Sequence, residues 1–210
     1  MTKIKICGIT NWKDAEAAVS LGADALGFNF FEKSPRYIAT DRAREIIARL
    51  PQGIWRAGIF VNAPRDAVQQ IAHEAKLDTL QFAGDEDAEF CQDWLGFRVC
   101  KVIHCTKERI DTELPRFLSI VDCVFFDRFE SDLYGGTGKT IPPHLLPLLR
   151  KSGAIPSGFL SGGLIPENVA GLVKDLRPCG VDVASGVESS PGIKDEGKMR
   201  DFIDAVRSCD

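Results

Sequence analysis

The chain has 210 residues, 44% hydrophobic and 27% charged, which provides apolar material for one large core and excludes a disordered or fibrous protein. A formal net charge of -4 provides no basic field for nucleic acid or an anionic membrane surface, so neither is expected as a partner. Seven cysteines without a C-x-x-C pair, beside only three histidines, argue against a zinc site and a disulfide framework and for a reducing, cytoplasmic setting.

The opening stretch "MTKIKICGITNWKDAEA" alternates polar and apolar residues and has no signal-peptide pattern. No run reaches the ~20 apolar residues of a membrane span.

Strand-like runs follow one another along the chain. They are "KIKICGI" (3–9), "ADALGFNF" (23–30), "WRAGIFV" (55–61), "TLQFAG" (79–84), "FRVCKVIHC" (97–105), "CVFFDRF" (123–129), "GFLSGG" (158–163) and "GVDVASGV" (180–187). Amphipathic runs separate them. "NWKDAEAAVSLG" has Asn11 to cap a helix and Gly22 to stop it, and "TDRAREIIARLP" has Thr40 as cap and Pro51 beyond its end. "GDEDAEFCQDW" reads as an acidic helix start. Eight strands alternating with about eight helices predict α/β architecture, a single-domain (β/α)8 TIM barrel over residues 1–210, with short loops. A doubly wound open sheet is the alternative, but it normally needs fewer strands and a glycine fingerprint that this chain lacks.

In such a barrel the chemistry sits where the strands end. The period of two in the first strand points Ile4 and Ile6 to the helices and Lys5 and Cys7 inward, with Cys7 at the rim. A lone cysteine is ordinarily inert packing, but a lysine two residues below it is expected to lower the thiol pKa. A buried Lys5 needs a partner, and Asp182 on the neighbouring last strand is the expected one. Asp127 ends the sixth strand, where it either caps a turn or, raised in pKa by a partly apolar pocket, donates a proton. Cys7 as base and Asp127 as acid make a pair suited to moving protons.

Gly162 and Gly163, with Ser185 and Gly186, lie at the ends of the last two strands, where barrels commonly hold a phosphate. The start of a helix near Pro166 or Asn168 adds its dipole. Arg36, beside Ser34 and Pro35, is a candidate clamp for a substrate carboxylate, whereas Lys33 reads as surface. His73 and His144 read as structural or solvent-facing, and His104, Cys100 and Cys105 as strand packing. "YGGTGKT" (134–140) ends like a phosphate-binding P-loop, but the required first glycine is Leu133, so ATP binding is not expected.

Taken together, "KIKICGIT", "ALGFNFFEKSPRYI", "GIFVN", "DRFESDLYGGTGKT", "SGGLIPENV" and "GVDVASGVESSPGIKD" resemble phosphoribosylanthranilate isomerases, barrel enzymes of tryptophan biosynthesis. The blocks run from residue 3 to 195. The resemblance implies an Amadori rearrangement of a phosphorylated aminosugar, N-(5'-phosphoribosyl)anthranilate, with no metal or cofactor, by a monomer or homodimer. It also implies that Asp127 is the general acid that opens the furanose ring, Cys7 the general base at C2', Arg36 the anthranilate carboxylate ligand and Gly162, Gly163, Ser185 and Gly186 the phosphate site. "YGGTGKT" then belongs to a loop that closes over the substrate. One block departs from the family pattern, Ala83 standing where a histidine is usual, which bears on the anthranilate side of the pocket. Two rivals are the histidine-pathway isomerase, which uses an aspartate where this chain has Cys7, and a barrel that binds a phospholigand without catalysis.

Overall fold

Side-chain alternation in the first strand sets the layout of the molecule. In β1 (Lys3–Cys7), Ile4 and Ile6 are fully buried against the helical layer, while Lys5 and Cys7 point into the sheet's interior. β2 (Ala25–Asn29), β3 (Trp55–Phe60), β4 (Thr79–Phe82), β5 (Arg98–Cys105), β6 (Cys123–Arg128), β7 (Gly158–Leu160) and β8 (Gly180–Val183) repeat this two-sided pattern. All eight pair in parallel and in chain order, and β8 returns to β1 to close the barrel. The computed structural model describes residues 1–128 and 140–210; most of "YGGTGKT" lies outside the described residues.

Two apolar layers hold the closed sheet. The outer one joins Leu26, Phe28, Leu80, Phe126 and Val181 to the helices, and the inner one stacks Ile59, Cys100, Val102, Phe125 and Phe159 inside the barrel. Phe125 and Phe159 lie face to face with centroids 4.7 Å apart, so the lower interior is solid packing and the free space is confined to the upper end.

The helices follow their expected caps in part. α1 (Trp12–Leu21) begins where the Asn11 side chain accepts from the Asp14 amide at 2.9 Å, and it ends at Gly22 with φ 102°. α2 (Thr40–Ile47) corrects the expectation for Thr40, which is the first helical residue; Ala39 stands at the cap position, with no side-chain bond. α3 (Arg65–Ala75) and α7 (Pro166–Leu176) follow their strands, and α8 (Glu196–Arg207) is capped by Asp195. Between β6 and β7, α6 (Leu146–Ser152) follows a short 3-10 turn, Pro143–Leu145, which contains His144. None of the described helices is long and apolar enough to cross a membrane.

The expected acidic helix in "GDEDAEFCQDW" does not form: the chain turns there instead, and two short helices, α4 (Lys107–Thr112) and α5 (Leu114–Phe117), lie together between β5 and β6. The reason is a buried carboxylate. Glu86 folds back under the loop, accepts from the amides of Asn62 (2.7 Å) and Gly84 (2.8 Å), and meets the Lys101 ammonium at 3.2 Å. Phe90 and Trp94 then pack on Phe82 in the place a helix would take, with centroids 5.2 and 5.5 Å away. Because Lys101 and Glu86 are both buried, each depends on the other for its charge. Glu86→Ala should therefore lower the urea-unfolding free energy by about 3 kcal/mol or more; a loss below 1 kcal/mol would show that the pair does not hold this loop.

Candidate active site

The upper end of the barrel encloses a cavity of about 350 Å3, within the size range of small-molecule sites. Its floor is built on the expected ion pair. Lys5 donates to Asp182 Oδ1 at 2.8 Å, the two residues being register partners across the β1–β8 closure. Burial opposes charge on Lys5, but Asp182 and Cys7 hold its pKa above the ordinary lysine value. Phe125 lies under the ammonium, with its centroid 5.3 Å away. Gly27 on β2 leaves room for this group: a Cβ there would come within 2.8 Å of Cys7 Sγ and 3.0 Å of Lys5 Nζ.

Cys7 stands at the rim as expected, but its thiol corrects the electrostatic expectation. Burial raises its pKa above the ordinary value, and although Lys5 pulls it down, the Asp182 carboxylate works in the opposite direction. Burial outweighs the lysine, so the resting group is a thiol.

Asp127 is raised as expected, to about 6, chiefly by burial, with Asp182 adding to the rise. His104, the Arg128 amide and Lys5 pull the other way. Gly162 fits against it because it has no side chain: φ is +78°, and a Cβ would collide with the Asp127 carboxylate.

Arg36 lines the cavity too, though its support is not the proline. Its Nε and Nη2 form a fork on Glu188, at 2.8 and 2.7 Å, leaving the Nη1 edge turned elsewhere. Gly8, at φ +77°, lets the arginine stem pass, since a Cβ would lie 2.6 Å from Arg36 Cδ. Glu188 opens a hairpin made by β9 (Glu188–Ser190) and β10 (Ile193–Lys194), which brings Lys194 back beneath the rim. Lys194 donates to Cys7 O at 2.6 Å, Ala184 O at 3.3 Å and Glu188 Oε1 at 2.8 Å. Burial would raise Glu188, but hydrogen bonding by Arg36 and the charge of Lys194 keep it below its usual value.

Gly162 and Gly163 both have positive φ, and their amides donate to no acceptor among the described residues. Asn168 in the first turn of α7 ties down this loop, accepting from the Ile165 amide at 3.0 Å and donating to Gly163 O at 2.9 Å. Opposite it, Gly186 packs so tightly on Leu164 O that a side chain would collide. Both loops line the same cavity.

All seven candidates, Cys7, Arg36, Asp127, Gly162, Gly163, Ser185 and Gly186, line this one cavity. Lys33, read as surface, is exposed but stands at its mouth. The reading of His104 as strand packing is corrected, because it faces the cavity beside Asp127. Sequence reasoning also passed over Gln81, buried on β4, whose Oε1 has no hydrogen-bond partner among the described residues. The inward alternation of β4 and β5 carried both signals.

The family model described as N-(5'phosphoribosyl)anthranilate (PRA) isomerase matches residues 4–205. An N-(5'-phosphoribosyl)anthranilate isomerase of Chlorobaculum parvum is 44% identical over 214 residues, covering 100% of this chain and 97% of its own. The crystal structure of phosphoribosyl anthranilate isomerase from Thermotoga maritima superposes with a TM-score of 0.89 at 35% identity, covering 99% of this chain and 100% of the other. A phosphoribosyl anthranilate isomerase crystallised with reduced 1-(o-carboxyphenylamino)-1-deoxyribulose 5-phosphate has a TM-score of 0.85 at 35% identity, with the same coverage.

The raised Asp127 has a stability consequence. Its proton affinity is higher folded, about 6, than in an unfolded chain, about 3.9, so its contribution is fully favourable below about pH 4 and is lost as pH rises through 6. Asp127→Asn should thus be more stable than wild type by about 1–3 kcal/mol at pH 8, allowing for partial solvent screening, with the gain vanishing towards pH 4. Urea unfolding at both pH values checks this; equal stability at pH 8 would contradict it.

Proposed function

Because the chain belongs to the N-(5'-phosphoribosyl)anthranilate isomerase family, we propose that Asp127 and Cys7 are the general acid and general base by which this cavity performs the family's reaction. That reaction converts N-(5'-phosphoribosyl)anthranilate into 1-(2-carboxyphenylamino)-1-deoxyribulose 5-phosphate, a step of tryptophan biosynthesis. The observation that carries the assignment is the rim itself: Asp127 and Cys7, each raised in pKa by burial, share one cavity with two glycine-rich loops.

Asp127 gives its proton to the furanose ring oxygen. The C1'–O bond breaks as the anilino nitrogen lone pair forms a C1'=N double bond, leaving a hydroxyl and an iminium ion. Cys7 takes the C2' proton, and the C–H electron pair moves to C1'=C2' while the C=N pair returns to nitrogen. The resulting enolamine becomes the ketone when its hydroxyl loses a proton and C1' gains one. The iminium charge arises next to Cys7, which favours the thiolate when it is needed. The phosphate is held by backbone N–H groups of Gly162, Gly163, Ser185 and Gly186, with α7 directing its positive end at that loop. The Nη1 edge of Arg36, its other edge fixed by Glu188, receives the anthranilate carboxylate, and the vacant Gln81 Oε1 accepts a substrate N–H or O–H donor. Residues 1–210 act as one catalytic unit in this reading.

The working ionic form pairs protonated Asp127 with Cys7 thiolate, which is the minor form because the acid titrates near 6 and the base above the ordinary thiol value of 9.0. Below about 6 the thiolate fraction falls with no gain in acid; between the two pKa values the losses and gains cancel; above both the acid disappears. A flat-topped pH profile of kcat with an acid limb near 6 is the expected outcome, and a limb near 4 would contradict it. Loss of anthranilate fluorescence on adding purified protein to fresh substrate measures turnover directly. Cys7→Ser and Asp127→Asn should each reduce kcat by ~100-fold or more with the fold intact. Near-wild-type rates in either variant would remove that residue from the mechanism.

A further inference from the structure

His104 faces the same cavity as Asp127 and is not used by the chemistry above. It is the inward residue near the end of β5, only 5% exposed, and it is the direct register partner of Asp127 across the β5–β6 pair. Neighbouring strands lie ~4.8 Å apart, so the imidazole and the carboxyl extend side by side towards the same space. The ring is also held from its other side. His104 Nε2 is 3.1 Å from Ala83 O, an atom that only accepts, so Nε2 carries a hydrogen and donates it. A neutral His104 is therefore the Nε2–H tautomer, and Nδ1 is the atom that gains or loses the second proton.

We propose that His104 is a positioning residue for the general acid: anchored on Ala83, its imidazole supplies the positive charge that balances the Asp127 carboxylate left after proton donation. The proposal rests on the reading of Asp127 as the acid. That carboxylate forms where burial already opposes its charge, with the Asp182 carboxylate also facing the cavity from β8. Lys5 on β1 is the other cation that pulls on Asp127, but it is already committed to Asp182 at 2.8 Å. The Arg128 amide on Asp127's own strand donates to Oδ1 at 2.7 Å, and the loop after β7 contributes neutral residues, Ser161 and Gly162 among them. On the helix side of β5, the buried Cys105 thiol is the remaining titratable neighbour. Of these side chains, His104 is the one set directly opposite Asp127 in the strand register. Consistent with this, His104 is the largest influence holding the Asp127 pKa down against burial. Without it the acid keeps its proton more tightly.

The test is the kcat–pH profile of wild type, His104→Gln and His104→Asn, with Asp127→Asn alongside. Loss of the imidazole should move the acid limb upward by about one pH unit, since an opposite charge at this range shifts a carboxyl by at least that much. A purely structural role would lower kcat or stability and leave the limb where it is. An unmoved limb in both folded variants, with Asp127→Asn inactive, overturns the role of His104 alone. A fully active Asp127→Asn overturns the acid assignment instead. The wild-type protein provides a measurement independent of variant folding: NMR titration of the Asp127 carboxyl carbon and the His104 ring should show two coupled steps in each. Independent single-step titrations would overturn the proposal.

Discussion

The ion pair between Lys5 and Asp182 is the constraint on which the upper barrel depends. Two opposite charges in a dry interior are tolerated only in contact, so the 2.8 Å bond fixes the register of the first strand against the last and closes the barrel. It also dictates composition around it: β2 must present a glycine at position 27 to admit the lysine, and Phe125 must lie flat beneath the ammonium. Stacking of Phe125 on Phe159 then separates a packed lower interior from a hollow upper one.

The same pair acts on both proton carriers. Asp182 raises Cys7 and Asp127, while Lys5 lowers both, and burial outweighs these effects in each case. A neutral thiol and a carboxyl that titrates near 6 are the result, an arrangement that stores the acid's proton near neutral pH and leaves the base to be activated by charge developing on the substrate. The cost falls on stability above about pH 6, where burial disfavours the carboxylate that Asp127 becomes.

A second polar network holds the other wall. Glu188 accepts from Arg36 and Lys194 together, and Lys194 reaches back to the carbonyl of Cys7, so the β8 hairpin, the β2 loop and the end of β1 are tied at one carboxylate. Arg36 is consequently rigid on one edge and available on the other, as recognition of a planar carboxylate requires.

The sequence by itself determined the architecture and most of the rim. Period-two alternation in short β-rich runs, separated by capped amphipathic helices, is sufficient for an eightfold barrel, and the barrel's geometry sends Cys7, Asp127 and the glycine pairs to one face. Local signals encode these features, so they are legible one residue at a time. Tertiary structure alone decided the rest. The thiol's pKa depends on whether burial or Lys5 prevails, and burial, set by the folded neighbours, is the larger. The loss of a helix after β4 depends on Glu86 meeting Lys101 across 15 residues, and the hold on Arg36 depends on Glu188 across 152. His104 became part of the site only when β5 lay beside β6. Charge and burial are set by neighbours distant in the chain, and sequence periodicity carries no record of how close those neighbours come.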